Sequence, residues 1–370
     1  MKTAIVIGGG PAGLNFAAKT ARTLDTTVFE EHSQIGMPIQ CTGIITSSIE
    51  RAIHSQALMA RIKKEAVINS IRDIEVFSPN NKSLHIELKK DDLILQRNIF
   101  DTILKENAED NGAKILENYR LAGIKNHEAI VFDRKEKKIK KIKYDFLIGA
   151  DGPKSTTAAL SAMLDKREYF TGVQARIKLK KKTENTIRFY PFLRDIAWFV
   201  PETENIARVG VMKRRNVLAA FKEFTKRFEG KTIEIQGGLI PVYSNSQKIQ
   251  DIGSSTFLIG DAAGHAKATT GGGIIPGLRA GNLLAETIEN GSYERTFRKT
   301  LARELWAHLM IRKALDRFSG KDWNSLVREC QDEKIKKILA STSRDNAGRL
   351  ARKIITARPG LVKYGMKLLK

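Results

Sequence analysis

The sequence predicts an α/β protein built from a Rossmann-type nucleotide-binding domain, an antiparallel β domain and a C-terminal helical region. Three observations predict it. The chain opens on an apolar, β-branched run that leads directly into glycines, TAIVIGGGPAG at residues 3–13. Its middle third carries short alternating segments separated by turn residues, and after about residue 290 the apolar periodicity becomes helical. At 370 residues the chain exceeds the size at which one core usually splits, so two or three domains are expected.

The first element carries the strongest signal. TAIVI has the continuous apolar character of a parallel strand buried on both faces. Gly8, Gly10 and Gly13 complete G-x-G-x-x-G, Ala12 stands among them, and a helix follows. Such glycines let the backbone turn tightly and approach a pyrophosphate, whose charge is favoured at the helix N-terminus. A second strand, TTVFE, ends at Glu30, where a carboxylate would accept hydrogen bonds from a ribose hydroxyl. Strand, glycines, helix, strand and acid in this order point to a dinucleotide.

Three later segments point to a more extended cofactor than a nicotinamide. LQRNIFDTIL places Arg97, Phe100, Asp101 and Leu104 at helical spacing, with the arginine at the start. YDFLIGADGPKS is a strand running into Asp151-Gly152, and STFLIGDAAG is another that ends at Asp261. Together these segments resemble the FAD enzymes built like glutathione reductase and p-hydroxybenzoate hydroxylase, over roughly residues 1–290. The resemblance implies an FAD-binding domain at 1–70, 96–155 and 253–290, and an antiparallel-sheet substrate domain at 71–95 and 156–252. It implies a cofactor set of Gly8, Gly10, Ala12, Gly13, Glu30, Cys41, Arg97, Leu121, Asp261, Gly271, Gly272, Gly273 and Ile274. The three consecutive glycines would let the isoalloxazine ring lie against bare backbone.

Aromatic hydroxylases of this fold read G-D-A-A-H, whereas Gly264 stands in the histidine's place and His265 is displaced by one. GDAAG followed by TTGGGI resembles instead the geranylgeranyl reductase family, which saturates isoprenoid double bonds in archaeal lipids and chlorophyll side chains. Ile35, Gly36, Pro38 and Cys41 match that family's I-G-x-P-V-x-C segment, with Ile39 for its valine. In IAWFVP, Trp198 and Pro201 match the family's Y-x-W-x-F-P, while Ile196 and Val200 replace two aromatics; Ala268 stands where proline is common.

Saturating an isolated alkene needs a hydride at one carbon and a proton at the other, and reduced flavin carries the hydride. Cys41, placed near the flavin by the resemblance, is the candidate acid, because a thiol is mostly protonated at neutral pH. Small apolar filler beside the ring is its alternative role. Short strands such as GVQARIKL, NTIRFYP and IARVGVM, with the hairpin IRDIEVFSPNNKSLHIEL, would form a sheet over the ring. Trp198, Phe199 and Tyr190 are candidates for its lipid-lining face, ordinary core being the competing assignment.

The remaining features bear on partners. Sixty-four basic against 41 acidic residues give a net charge of +23, which suits an anionic membrane surface, an acidic protein or simply a solvated surface. Nucleic acid would explain the charge but none of the glycine motifs. Seven basic residues between 134 and 143 lie on an expected exposed hairpin, and RLARKIITARPGLVKYGMKLLK at the end suits a helix lying in anionic headgroups or packed on the domain. Without a second G-x-G-x-x-G, electrons would come from transiently bound NADPH or from an acidic carrier such as ferredoxin. Cys41 and Cys330 are far apart and the six histidines scattered, so neither a disulfide framework nor a metal site is expected. No apolar run reaches the roughly 20 residues of a spanning helix, and the first strand is too short for a secretory h-region; a cytoplasmic protein, peripheral on the membrane's cytoplasmic face, is expected. Two other uses of the fold compete: oxygen-dependent monooxygenases, and non-catalytic prenyl-lipid-binding escort proteins.

Overall fold

The computed structural model describes residues 1–164, 166–192 and 196–369. Its first layer is a six-stranded sheet in the order Gln250–Asp251, Thr256–Leu258, Phe146–Gly149, Thr3–Ile7, Asp25–Glu30, Lys114–Glu117. All pairings are parallel except that of the short edge strand Gln250–Asp251. Strand alternation explains why TAIVI is apolar throughout. Ala4 and Val6 pack toward helices Pro11–Thr20 and Ile274–Thr287, while Ile5 and Ile7 face a three-stranded antiparallel sheet, Tyr119–Lys125, Glu128–Asp133 and Lys138–Lys143. Both faces are covered, so neither set of side chains meets water.

The second layer is an eight-stranded sheet in the order Gly230–Pro241, Tyr169–Leu179, Ile206–Lys213, Ile196–Pro201, Thr186–Tyr190, Val67–Phe77, Ser83–Leu95, Ile44–Ile45. Only the pairing of Thr186–Tyr190 with Val67–Phe77 is parallel, because the intervening chain returns to the sheet from the other domain layer. One face buries Ala175, Ile177, Phe199, Val209 and Val211 beneath helix Val217–Thr225 with its Phe221 and Phe224. The opposite face, carrying Gln174, Trp198, Gly210 and Met212, looks toward the parallel sheet's C-terminal loops.

The last 80 residues form helices Tyr293–Lys299, Leu301–Leu315, Gly320–Glu329, Glu333–Ser341, Ala347–Ala357 and Val362–Gly365. They are no free appendage. Val327, Cys330, Ile335, Leu361 and Tyr364 share a core with Ile71, Ile74, Leu84, Ile86 and Ile94 of the sheet. Burial pushes the Cys330 thiol up to about 11, so it serves as an inert apolar filler. No described helix is long and apolar enough to cross a membrane.

Candidate active site

The site is assembled from loops at the C-terminal ends of parallel strands, where an open α/β sheet leaves its crevice. Gly8 ends the first strand at φ +105°, and a β-carbon there would lie 2.4 Å from the Ala150 carbonyl oxygen. Only glycine fits that approach. One at Gly13 would meet the Gly8 carbonyl at 2.4 Å, whereas one at Gly10 would meet nothing within 4 Å. Gly10 therefore opens onto free space directly before helix Pro11–Thr20, whose first amides have no internal acceptor. Ala12, on that first turn, packs against Gly260 and Gly277 and joins the fingerprint helix to the other glycine-rich segments.

Glu30 is buried, and its carboxylate accepts the Gly9 amide at 2.7 Å and the His32 amide at 2.9 Å, with His32 Nδ1 at 2.6 Å. It pins the fingerprint turn while presenting an acid at the end of the second strand.

A single guanidinium organises the next group. Arg97 opens helix Arg97–Asp110 and bonds Asp101 through Nε at 3.1 Å and an Nη at 2.8 Å. It also lies close enough to Cys41 to interact with it electrostatically. Burial opposes its charge, but Asp101 and Cys41 outweigh that and hold its pKa above the ordinary arginine value. Burial pushes Asp101 up, with Arg97 pulling the other way. Asp261 is pushed up to about 6 by burial, moderated by Arg97 and Arg167. Cys41, Arg97 and Asp261, spread over 220 residues of the sequence, thus form one electrostatic cluster.

The three glycines face three different walls. A β-carbon on Gly271, at φ +71°, would meet Met212 Sδ at 2.8 Å and Ile240 at 3.2 Å; on Gly272 it would meet Lys267 Cε at 2.8 Å; on Gly273 it would meet Asp261 Oδ1 at 2.6 Å. The loop is bare because each position is already occupied. Ile274 then begins helix Ile274–Thr287, whose N-terminus points out of this loop.

Cys41 lies half-buried in the segment leading to the eight-stranded sheet. Gly43 N–H donates to its Sγ at 3.3 Å, and its carbonyl accepts from Gln174 Nε2 at 3.3 Å. The buried Gln174 also donates to Gln236 at 2.6 Å and accepts from Thr42 Oγ1 at 2.8 Å and Trp198 Nε1 at 3.3 Å. Arg208, buried against Glu202, donates to the carbonyls of Thr42 at 2.5 Å and Leu95 at 3.0 Å. Trp198 lies over Gly210, where a β-carbon would strike the indole at 2.5 Å, and packs with Met212 and Ile240.

Not all the expected residues converge. Phe199 follows Trp198 in an extended strand and so points to the opposite face, 1% exposed and stacked on Phe228 at 4.9 Å. Tyr190 is on that same far side, stacked on Phe77 at 4.8 Å and edge-on to Phe224. Strand alternation therefore removes both from the Cys41 face. Leu121 places its side chain in the apolar layer between the three-stranded and parallel sheets, with Ile5, Ile7 and Phe29.

Sequence reasoning missed Gln174, Arg208 and Arg167. Arg167 donates to the carbonyls of Pro153 (3.3 Å), Asp261 (3.1 Å) and Ala262 (2.9 Å) and to Gln247 (2.6 Å), tying the Asp151-Gly152 turn to the Asp261 turn. No motif marks these three. The signal available for Gln174 is an amide inside an otherwise apolar strand, GVQARIKL.

The cradle suits an extended dinucleotide: glycines where any β-carbon would collide, a helix N-terminus behind Gly10, an acid at Glu30, and a second helix N-terminus at Gly273. Residues 1–185 match the model of the FAD-binding domain family, and the chain belongs to that family. It is 25% identical to a digeranylgeranylglycerophospholipid reductase of Methanothrix thermoacetophila, covering 90% of this chain and 92% of that one. It is 27% identical to digeranylgeranylglycerophospholipid reductase 3 of Methanosphaera stadtmanae, with the same shares covered. Among solved structures it superposes on a geranylgeranyl bacteriochlorophyll reductase-like protein of Thermoplasma acidophilum with a TM-score of 0.83 and 20% identity, covering 99% of both chains.

Proposed function

We propose that this protein is an FAD-dependent reductase that saturates geranylgeranyl double bonds of an archaeal-type membrane lipid. Bound FAD, when reduced, supplies the hydride. Gly8, Gly10, Ala12, Gly13 and Glu30 hold its phosphate and ribose end, while Arg97, Asp261 and the loop Gly271–Gly273 with Ile274 hold its ring end. The observation that carries this reading is the closure of an apolar wall, Trp198, Met212 and Ile240, on a glycine loop whose other side bears Asp261 and the Cys41–Arg97 pair.

The chain's own groups then divide the work. Trp198, Met212 and Ile240 give the alkene an apolar bed and exclude water from the reacting carbons. Cys41 is the proton donor: its S–H proton goes to the alkene carbon that does not receive the hydride. Arg97 lies beside the sulfur, and solvent returns the proton between turnovers. Gln174 fixes the height of Cys41 by holding its carbonyl together with Thr42 and the Trp198 indole.

The lipid would be met at a membrane surface. Arg303, Arg349 and Arg352 converge with the exposed Trp306 on a cleft of about 900 Å³ between helices Leu301–Leu315 and Ala347–Ala357. Cationic rims around apolar and indole surface suit anionic headgroups. Reducing equivalents would come from NADPH or from an acidic carrier docking on the basic surface.

The test is anaerobic. Dithionite-reduced protein is mixed with a digeranylgeranyl phospholipid, and flavin absorbance is followed with lipid mass. Reoxidation with a mass gain of two hydrogens per double bond is expected. Reoxidation only after air is admitted would reject the reductase in favour of a monooxygenase. Cys41→Ala should keep FAD and lose at least tenfold in lipid-dependent reoxidation; an unchanged rate would remove the acid role.

A further inference from the structure

Beneath the glycine loop lies a buried ion pair that neither binding nor proton transfer, as described, employs. Lys267 is 7% exposed, and its ammonium pairs with Asp345, 5% exposed, which the chain brings in from 78 residues away. The lysine is wrapped by the loop itself. Its N–H donates to Gly272 O at 3.2 Å, and its carbonyl accepts from Gly271 N at 2.8 Å and Thr270 N at 3.2 Å. A β-carbon on Gly272 would lie 3.1 Å from Lys267 Nζ.

The surroundings hold this charge in place. Asp345 also accepts from the hydroxyls of Thr46 and, at 3.1 Å, Ser343. Burial raises the Asp345 carboxyl, but Lys267 and Thr46 outweigh it and hold the pKa well below the usual range. His308 bridges Thr269 Oγ1 at 2.6 Å and the Asp345 carbonyl at 3.2 Å; burial, then the lysine's charge, push it down to about 4, leaving it neutral at pH 7. Beside the pair, Arg344 bonds Asp92 at 2.6 Å. Asp345 thereby clamps the glycine loop to the segment that follows Cys41.

A buried pair is a costly way to close an interface, since apolar side chains of similar volume do so as well or better. What it adds is a fixed charge. Reduced flavin is an anion when its pyrimidine ring has lost a proton, and charge near that ring sets its potential. We infer that Lys267 is an electrostatic positioning residue for the bound flavin, stabilising its anionic reduced form, and that Asp345 anchors the lysine and moderates its charge. This rests on the placement of FAD at Gly271–Gly273 proposed above. The nearer cation and the farther anion have opposite effects, which a purely structural clamp would not.

The experiment measures the flavin midpoint potential of holoprotein without lipid, by anaerobic dye-coupled reduction, for Lys267→Met, Asp345→Asn and the double variant. Lys267→Met should weaken stabilisation of the reduced form about tenfold, which for a two-electron couple lowers the potential by about 30 mV. Asp345→Asn should raise it, and the double variant should fall between Lys267→Met and the unaltered protein. The double variant leaves no buried charge unpaired, so it serves if a single variant fails to fold. In that case a potential below that of the unaltered protein supports the inference. Shifts in one direction for both single variants, or no shift in any, overturn it. Because no lipid is present, potentials that shift in the expected order while the lipid fails to reoxidise the flavin would sink the substrate assignment and leave this inference standing. Lipid turnover with unshifted potentials would do the reverse.

Discussion

Replacing Arg97 with Met removes the cation from a cluster in which Asp101 is 4% exposed and bonded to it twice. Breaking a buried pair by deleting one partner costs about 3–5 kcal/mol, because the other charge is stranded. Asp101 already has its pKa raised by burial, and Arg97 is its main counterweight. A carboxyl whose folded pKa exceeds its unfolded value stabilises the fold fully below the unfolded value, about 3.9, and that contribution is lost as pH rises through the folded value. In Arg97→Met the folded value rises further. The destabilisation should therefore be largest near pH 8 and shrink toward pH 5, where the stranded carboxyl takes up a proton. Urea unfolding of the apoprotein at both pH values measures this, and Arg97→Met/Asp101→Asn should recover more than half of the loss. A loss of under 1 kcal/mol, equal at both pH values, would refute the buried-pair reasoning.

Other residues give sharper contrasts. Gly271→Ala adds a methyl 2.8 Å from Met212 Sδ at a positive φ, so FAD content after purification should fall severalfold while the far-ultraviolet circular dichroism stays unchanged. Phe199→Ala should cost about 3–5 kcal/mol in urea unfolding with little change in KM for lipid, because the ring fills the core away from Cys41. Trp198→Ala should do the opposite, raising KM for the lipid more than it lowers stability. Asp261 has a folded pKa of about 6, so the apoprotein should lose stability as pH rises from about 4 to 6, and Asp261→Asn should flatten that slope in denaturant titrations.

How far the site was readable from the chain depends on which kind of interaction made it. The strand, glycines and acid of Gly8 to Glu30 lie within one strand–helix–strand unit, where Gly13 packs on the Gly8 carbonyl and Glu30 accepts the Gly9 amide, so their spacing carries the signal. The pairing of Trp198 with the site and the exclusion of Phe199 follow from a period of two, which the sequence displays, but which face is buried against helix Val217–Thr225 it does not. Gln174 and Arg167 carry no motif, because their partners come from segments up to 133 residues away.

By itself, the sequence determined the class of domain and the positions of its fingerprint glycines, because a tight turn with a close backbone approach tolerates few residues and leaves a local trace. Only the tertiary structure decided that Arg97 pairs with Asp101 beside Cys41, that Lys267 meets Asp345 beneath the glycine loop, and that the terminal helices share a core with the eight-stranded sheet. Burial and long-range charge pairing depend on which distant segments close over a group, and no spacing along the chain records that.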